Sequence, residues 1–128
     1  MTNFSKNDII EVDEMKAIRS NRVKTDESFI TLFFPEAEKI AEKYNYELPK
    51  LSNQKYNDYL KILAAGVKIK KNLTTHVARH TFATYLLNKG IPIETVSRAM
   101  GHSSIKMTQH YAKLLGRKVI SDMKILLE

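Results

Sequence analysis

The sequence predicts an α+β fold that is mainly α-helical, with one small β-hairpin near the N-terminus. From Pro35 onward, apolar residues recur at helical spacing between proline and glycine positions. Before that point, the segment KAIRSNRVKTDESFITLFF, residues 16–34, places β-branched and aromatic residues on both sides of the polar Thr25-Asp26-Glu27. The 128 residues can form one compact core, so we expect a single domain or one piece of a larger protein.

The helices can be followed in order from their capping residues. Pro35 suits the first turn of a helix, and Ser52 can cap another that runs through Leu63. Thr74 or Thr75 can cap the next helix, and its end is predicted at 88–90, where glycine follows. The remaining helices are predicted from Pro92 to Gly101, from Ser104 to Leu115 and from Gly116 to Leu127.

The composition narrows the class of partner. Lys and Arg number 21 against 14 Asp and Glu, a net charge of +7, which favours a polyanion such as nucleic acid. Residues 61–128 contain only three acidic residues, so the C-terminal half is the basic one. No apolar run approaches the roughly 20 residues of a bilayer span, and the absence of cysteine excludes disulfides and thiolate metal sites. We therefore expect a cytoplasmic protein that acts on neither a membrane nor a small molecule.

The helix after Thr75 carries polar residues where a core helix would carry leucine. His76 lies beside Arg79 and His80 on one face, while Ala78, Phe82, Tyr85 and Leu86 are expected to form the buried side. Two imidazoles and a guanidinium near a helix N-terminus would suit a phosphate. In the simpler interpretation, His76 caps or packs locally and Arg79 is a surface charge.

Two other functions can be considered for these residues. His76 and His80 have the i, i+4 spacing of a zinc site, but Val77 stands where a zinc protease needs glutamate. The segment GIPIETVSRAMGHSS reads like a helix-turn-helix DNA-binding regulator. That interpretation leaves Tyr111 without a role.

Gly101 is expected to end its helix and turn the chain, so that His102 is displayed from the helix end. Tyr111 follows nine residues later within TQHYAKLL. A lone tyrosine at such a position is more often a core or rim residue than a nucleophile.

The order of these residues is more specific than any one of them. His-x-x-Arg-His is followed by Gly-His and then by Tyr, within HVARHTFATYLLNKG and VSRAMGHSSIKMTQHYA, with RVKT upstream. In these segments the chain resembles the catalytic domain of the tyrosine recombinase (phage integrase) family. It is most similar to integrases of mobile genetic elements such as conjugative transposons.

The resemblance implies site-specific DNA recombination or integration, in which a tyrosine hydroxyl cleaves a DNA strand through a 3′-phosphotyrosyl intermediate. It implies that Tyr111 is the nucleophile and that Arg79 holds a non-bridging phosphate oxygen. His76 and His102 would donate to the same phosphate or manage the tyrosine proton. Lys24, on the hairpin before its turn, would protonate the leaving 5′-oxygen. His80 is assigned only support within its helix.

The resemblance also implies double-stranded DNA and sister integrase protomers as partners, no cofactor and no metal, and a bacterial, nucleoid-associated location on DNA. The family uses a second catalytic arginine upstream of the segment that residues 4–10 resemble, and Arg19 and Arg22 come too late to match it. We therefore expect residues 1–128 to be the C-terminal part of a catalytic domain, without the N-terminal DNA-binding domain. On its own such a part is expected to cleave DNA very poorly.

Overall fold

The structure, a computed structural model, describes residues 4–112 and 116–128. It contains a small antiparallel sheet followed by helices, as the sequence predicts. A 3-10 turn at Lys6–Asp8 precedes the sheet, and a second one at Lys124–Leu127 follows the last helix. The strands are β1 (Ile9–Val12), β2 (Met15–Asn21) and β3 (Ser28–Leu32), and the helices are α1 (Pro35–Lys43), α2 (Asn53–Gly66), α3 (Thr75–Asn88), α4 (Ile93–Met100), α5 (Ile105–Ala112) and α6 (Gly116–Met123).

The predicted hairpin is formed by β2 and β3, and the sheet has an additional strand, β1, that the sequence did not predict. The strand order is β1-β2-β3, and buried Ala17 of β2 pairs with residues of both neighbours. Asp13 and Glu14 join β1 to β2 with φ of 49° and 64°. A two-residue turn with positive φ at both positions usually contains Asn-Gly or Asp-Gly, so this connection carries no recognisable sequence signal.

The helix starts follow the predicted capping chemistry. Pro35 is in the first turn of α1, and the Ser52 hydroxyl accepts a hydrogen bond from the Lys55 N–H at 3.2 Å. Thr74, not Thr75, caps α3, because its hydroxyl accepts from the Val77 N–H at 3.1 Å. These side chains satisfy backbone donors that a helix leaves unpaired in its first turn. Helix α2 extends three residues beyond the predicted end, to Gly66.

A buried hydrophobic cluster lies between α3, α4 and α5. The predicted buried face of α3 is partly wrong. Ala78 and Tyr85 are exposed, and they line an open groove of about 510 Å³. Packing of α4 and α5 against α3 selects a face rotated toward Ala83 and Leu87, with Phe82 and Leu86 at its edges. The buried members of the cluster are Ala83, Leu87, Val96, Met100 and Tyr111.

Helix α4 also packs against β3, so it connects the sheet to the helical core. Within residues 4–112 and 116–128, no helix combines the length and apolar character needed to cross a membrane.

Val96 should contribute strongly to stability because it is completely buried in this cluster. We expect Val96→Ala to lower the free energy of unfolding by about 2 kcal/mol, from lost burial and the cavity left behind. Urea denaturation followed by circular dichroism measures this change. Val119→Ala, at a position on α6 that is 59% exposed, is the matched control and should change it little. Equal effects of the two substitutions would contradict the assigned core.

Candidate active site

The C-terminal end of α4 forms a left-handed turn that fixes the position of His102. Gly101 has φ of 64° and ψ of 43°, a conformation that glycine adopts without the steric cost of a Cβ. The Gly101 N–H donates to the Arg98 carbonyl at 3.2 Å, and the His102 N–H donates to the Ser97 carbonyl at 3.0 Å. This pair of bonds is a Schellman motif. The predicted display of His102 from the helix end is thereby confirmed.

Two arginines bind the carbonyl groups at this end of α4. Arg79 of α3 donates through Nη2 to the Met100 carbonyl. Arg22, just after β2, donates through Nη1 to the Gly101 carbonyl at 3.2 Å. The last carbonyls of a helix have no partner within it and carry the negative end of the helix dipole. Both guanidinium groups are thereby held beside the His102 turn.

Tyr111 of α5 lies in the same place, among three histidine rings. It is only 8% exposed, and its ring lies parallel to that of His102, at 11° with 6.2 Å between centroids. His80 of α3 meets the Tyr111 ring edge-on at 4.8 Å, and His110 does so at 6.0 Å. His102 Nδ1 is 2.6 Å from the hydroxyl of Thr108, which is fully buried one turn before Tyr111. Helix α5 therefore orients both the tyrosine and the histidine.

The site is positively charged, and no carboxylate of a described residue pairs with its two arginines. The pKa of Arg79 is lowered by burial and by the nearby charge of Arg22, with Tyr111 acting in the opposite direction. Within the described part of the chain, the salt bridges are Lys16–Glu38 and Lys61–Asp58, so neither of these arginines is paired with a carboxylate. Partly buried charges are costly unless they are paired. The arrangement is therefore suited to bind an anion.

The structure brings together three of the five predicted site residues: Arg79, His102 and Tyr111. His76 lies one turn before Arg79 on the same helix, but it is exposed and its imidazole makes no hydrogen bond to a described residue. Lys24 is also exposed and belongs to the turn at residues 23–25.

The prediction that Lys24 precedes the turn of the hairpin is therefore wrong. Strand β2 ends at Asn21, because the next backbone groups close the turn. The Arg22 N–H donates to the Glu27 carbonyl at 2.8 Å, and the Asp26 N–H donates to the Arg22 carbonyl at 2.7 Å. Lys24 lies inside the turn that these two hydrogen bonds close.

Sequence reasoning missed two residues of the site. Arg22 has no role in the sequence interpretation because it matches no family arginine, and its contact with Gly101 spans 79 positions in sequence. The sequence feature that could have indicated a role for Arg22 is its position two residues before Lys24. His80 was assigned support within its helix, whereas its ring contacts Tyr111 of another helix.

A metal site at His76 and His80 would need further ligands. No group of three or more histidine, aspartate or glutamate side chains among residues 4–112 and 116–128 is arranged to hold a metal ion.

The ionisation of His102 should make stability depend on pH. Burial, and then the charges of Arg79 and Arg22, hold the pKa of His102 below its ordinary value. As pH falls through about 6.5, the unfolded chain binds a proton at this position before the folded chain does, so stability is lost. We expect the free energy of unfolding to fall from about pH 7 to about pH 5, and to fall less in His102→Gln. Urea titrations at each pH measure both slopes, and equal slopes would contradict the assigned environment of His102.

Comparisons with known proteins identify the family of the chain. The phage integrase family model matches residues 7–117. The tyrosine recombinase XerA of Saccharolobus solfataricus is 36% identical over 115 residues, which are 87% of this chain and 38% of that protein. The integrase of Haemophilus phage HP1 is 37% identical over 82 residues, which are 60% of this chain and 24% of that protein.

Solved structures show the same fold. The crystal structure of XerA recombinase superposes with a TM-score of 0.67 at 25% identity, covering 98% of this chain and 50% of that one. XerH site-specific recombinase, in a post-cleavage complex with a palindromic difH substrate, gives a TM-score of 0.69 at 17% identity, covering 98% of this chain and 40% of that one. The chain thus spans half or less of the length of these relatives. Its match to the family model extends over most of its own residues, and the chain belongs to the phage integrase family.

Proposed function

We propose that the protein is a tyrosine-type site-specific DNA recombinase, which cleaves and rejoins DNA strands through a 3′-phosphotyrosyl intermediate. The observation that carries the proposal is the position of Tyr111, stacked on His102 beside Arg79 and Arg22, two cations that no carboxylate of a described residue pairs. Family membership and the XerA and HP1 integrase relatives support it.

In the proposed first step, the Tyr111 oxygen attacks a DNA phosphorus atom. A new P–O bond forms to the tyrosine, the bond to the 5′-oxygen breaks, and the 3′ side of the strand remains on the protein. The 5′-hydroxyl of another strand then reverses the step on the phosphotyrosyl bond. Each step exchanges one phosphodiester for another, so the bond energy is retained.

The attacking and leaving oxygens need proton transfer in opposite directions. Tyr111 loses its proton as its oxygen bonds to phosphorus, and His102, whose ring lies parallel to the tyrosine ring, is the imidazole assigned to this proton. Burial and the charges of Arg79 and Arg22 lower the pKa of His102, which favours the neutral ring, the form that can accept a proton. Lys24 is assigned as the general acid that donates a proton to the leaving 5′-oxygen.

Negative charge grows on the equatorial phosphate oxygens during the transfer, and fixed cations beside them lower the barrier. Arg79 uses Nη2 on the Met100 carbonyl, which orients its guanidinium and leaves other N–H groups for a phosphate oxygen. His76, one turn earlier on α3, is assigned a donor role to the same phosphate once DNA is bound.

The proposed partners are double-stranded DNA and sister protomers of the recombinase. The proposed biological role is in a genetic element that moves between DNA sites. The basic charge of the chain fits a DNA backbone. The helix-turn-helix regulator remains a non-enzymatic alternative on sequence grounds, but the relatives give it no support.

The nucleophile can be tested by capturing the covalent intermediate. We expect Tyr111→Phe in the complete protein to abolish the protein–DNA adduct that survives denaturing electrophoresis, while DNA binding measured by fluorescence anisotropy is retained. Tyr59→Phe is the matched control, because Tyr59 is 49% exposed on α2, and it should form the adduct normally. An adduct that persists in Tyr111→Phe, or none with the unaltered protein, would contradict the proposal.

A further inference from the structure

Arg22 occupies space that exists only because residue 101 is glycine. A Cβ placed on Gly101 would lie 2.9 Å from the Arg22 Cδ atom and 3.2 Å from the Phe29 Cβ atom. Contacts below 3.0 Å require a neighbour to move. Gly101 is therefore needed for its positive φ and also for the close approach of the Arg22 side chain.

The same arginine forms the base of the turn that carries Lys24. Its backbone N–H and carbonyl make the two hydrogen bonds that close the turn, to Glu27 and from Asp26. The side-chain amide of Asn21 donates to the Asp26 carboxylate at 3.1 Å and connects the base of the turn a second time. Arg22 is thus fixed to the turn by its backbone and to the His102 end of α4 by its side chain.

We propose that Arg22 is a positioning residue for the strand-cleavage reaction: it holds the turn that carries Lys24 against the Gly101-His102 turn. The inference rests on the proposed function and adds a specific step to it. Arg22 acts through Lys24, on the protonation of the leaving 5′-oxygen. The alternative to this positioning role is a direct contact between Arg22 and a non-bridging phosphate oxygen.

The electrostatic environment agrees with a fixed place for Arg22 beside the site. Its charge contributes to lowering the pKa of both Arg79 and His102, so its guanidinium lies close to both. Arg22 is half-buried and has no carboxylate partner within the described residues. The hydrogen bond to the Gly101 carbonyl is what holds it there.

The two roles can be separated by changing the leaving atom. Cleavage of an ordinary phosphodiester expels an alkoxide, which needs a proton from a general acid. If sulfur replaces the bridging 5′-oxygen, the leaving group is a thiolate, which is stable without that proton because a thiol is far more acidic than an alcohol. A variant that is slow because it fails to deliver this proton should therefore cleave the sulfur substrate at the normal rate. A variant that is slow because it has lost a contact to a non-bridging oxygen should stay slow on it.

The probes are two synthetic duplexes that differ only in this 5′-oxygen or 5′-sulfur. Their sequence is obtained first, by recovering the DNA attached to the complete, unaltered protein after incubation with a random duplex library. Single-turnover adduct formation is then measured for the unaltered protein, Arg22→Ala and Lys24→Ala. Arg19→Ala is the matched control, because Arg19 is an exposed arginine on β2, the strand that leads into this turn.

We expect Arg22→Ala and Lys24→Ala to slow adduct formation on the oxygen duplex on the order of 10²-fold, as loss of a general acid does. Both should return to the unaltered rate on the sulfur duplex, and Arg19→Ala should react normally on both. A rescue of this kind would not follow from general damage to the fold. Thermal melting checks the fold of each variant, and Arg22→Met, which keeps an apolar stem but has no N–H donor on its side chain, replaces Arg22→Ala if the latter does not fold.

Arg22→Ala that stays slow on the sulfur duplex while Lys24→Ala is rescued would overturn the inference and favour a direct phosphate contact. Normal cleavage of the oxygen duplex by Arg22→Ala would also overturn it. Failure of the proposed function is distinguishable from both, because the unaltered protein would then form no Tyr111 adduct with any member of the library.

Discussion

The site depends on two guanidinium groups that bind consecutive carbonyls at the end of α4. Arg79 reaches the Met100 carbonyl from α3, and Arg22 reaches the Gly101 carbonyl from the sheet. Helix carbonyls at this end lack partners and attract positive charge, which offsets part of the repulsion between two arginines. The sheet, α3 and α4 are thereby connected at one point, and this point carries the cations that the proposed chemistry needs.

The tyrosine and the histidine are oriented by a second, independent set of contacts. Helix α5 packs against α3 and α4, buries Tyr111 in the core and presents the Thr108 hydroxyl to His102. A tyrosine that is part of the core has few alternative positions. The same packing therefore stabilises the fold and places the proposed nucleophile, which explains why Tyr111 is buried although it is expected to react with DNA.

Much of this arrangement could be predicted from local sequence chemistry. Pro35, Ser52 and Thr74 mark helix starts, and the capping bonds there involve residues only a few positions apart. The display of His102 could also be predicted, because it follows from a glycine at a helix end.

The remainder depends on contacts between residues far apart in the chain. The role of Arg22 arises from a hydrogen bond to Gly101 that no periodicity reveals. The buried face of α3 was misassigned at Tyr85 because several residues of that helix are apolar, and only packing by α4 and α5 decides which of them are covered. The turn at Asp13 and Glu14 was missed because two acidic residues adopt positive φ there without glycine.

Arg79, His102 and Tyr111 are proposed to form a site for a phosphate group. A crystal structure of the protein grown with inorganic phosphate tests it most directly. One phosphate is expected within hydrogen-bond distance of both the Arg79 guanidinium and the His102 imidazole, with the Arg79 bond to Met100 retained. Phosphate bound elsewhere on the protein, with Arg79 turned toward a carboxylate and away from His102, would contradict it.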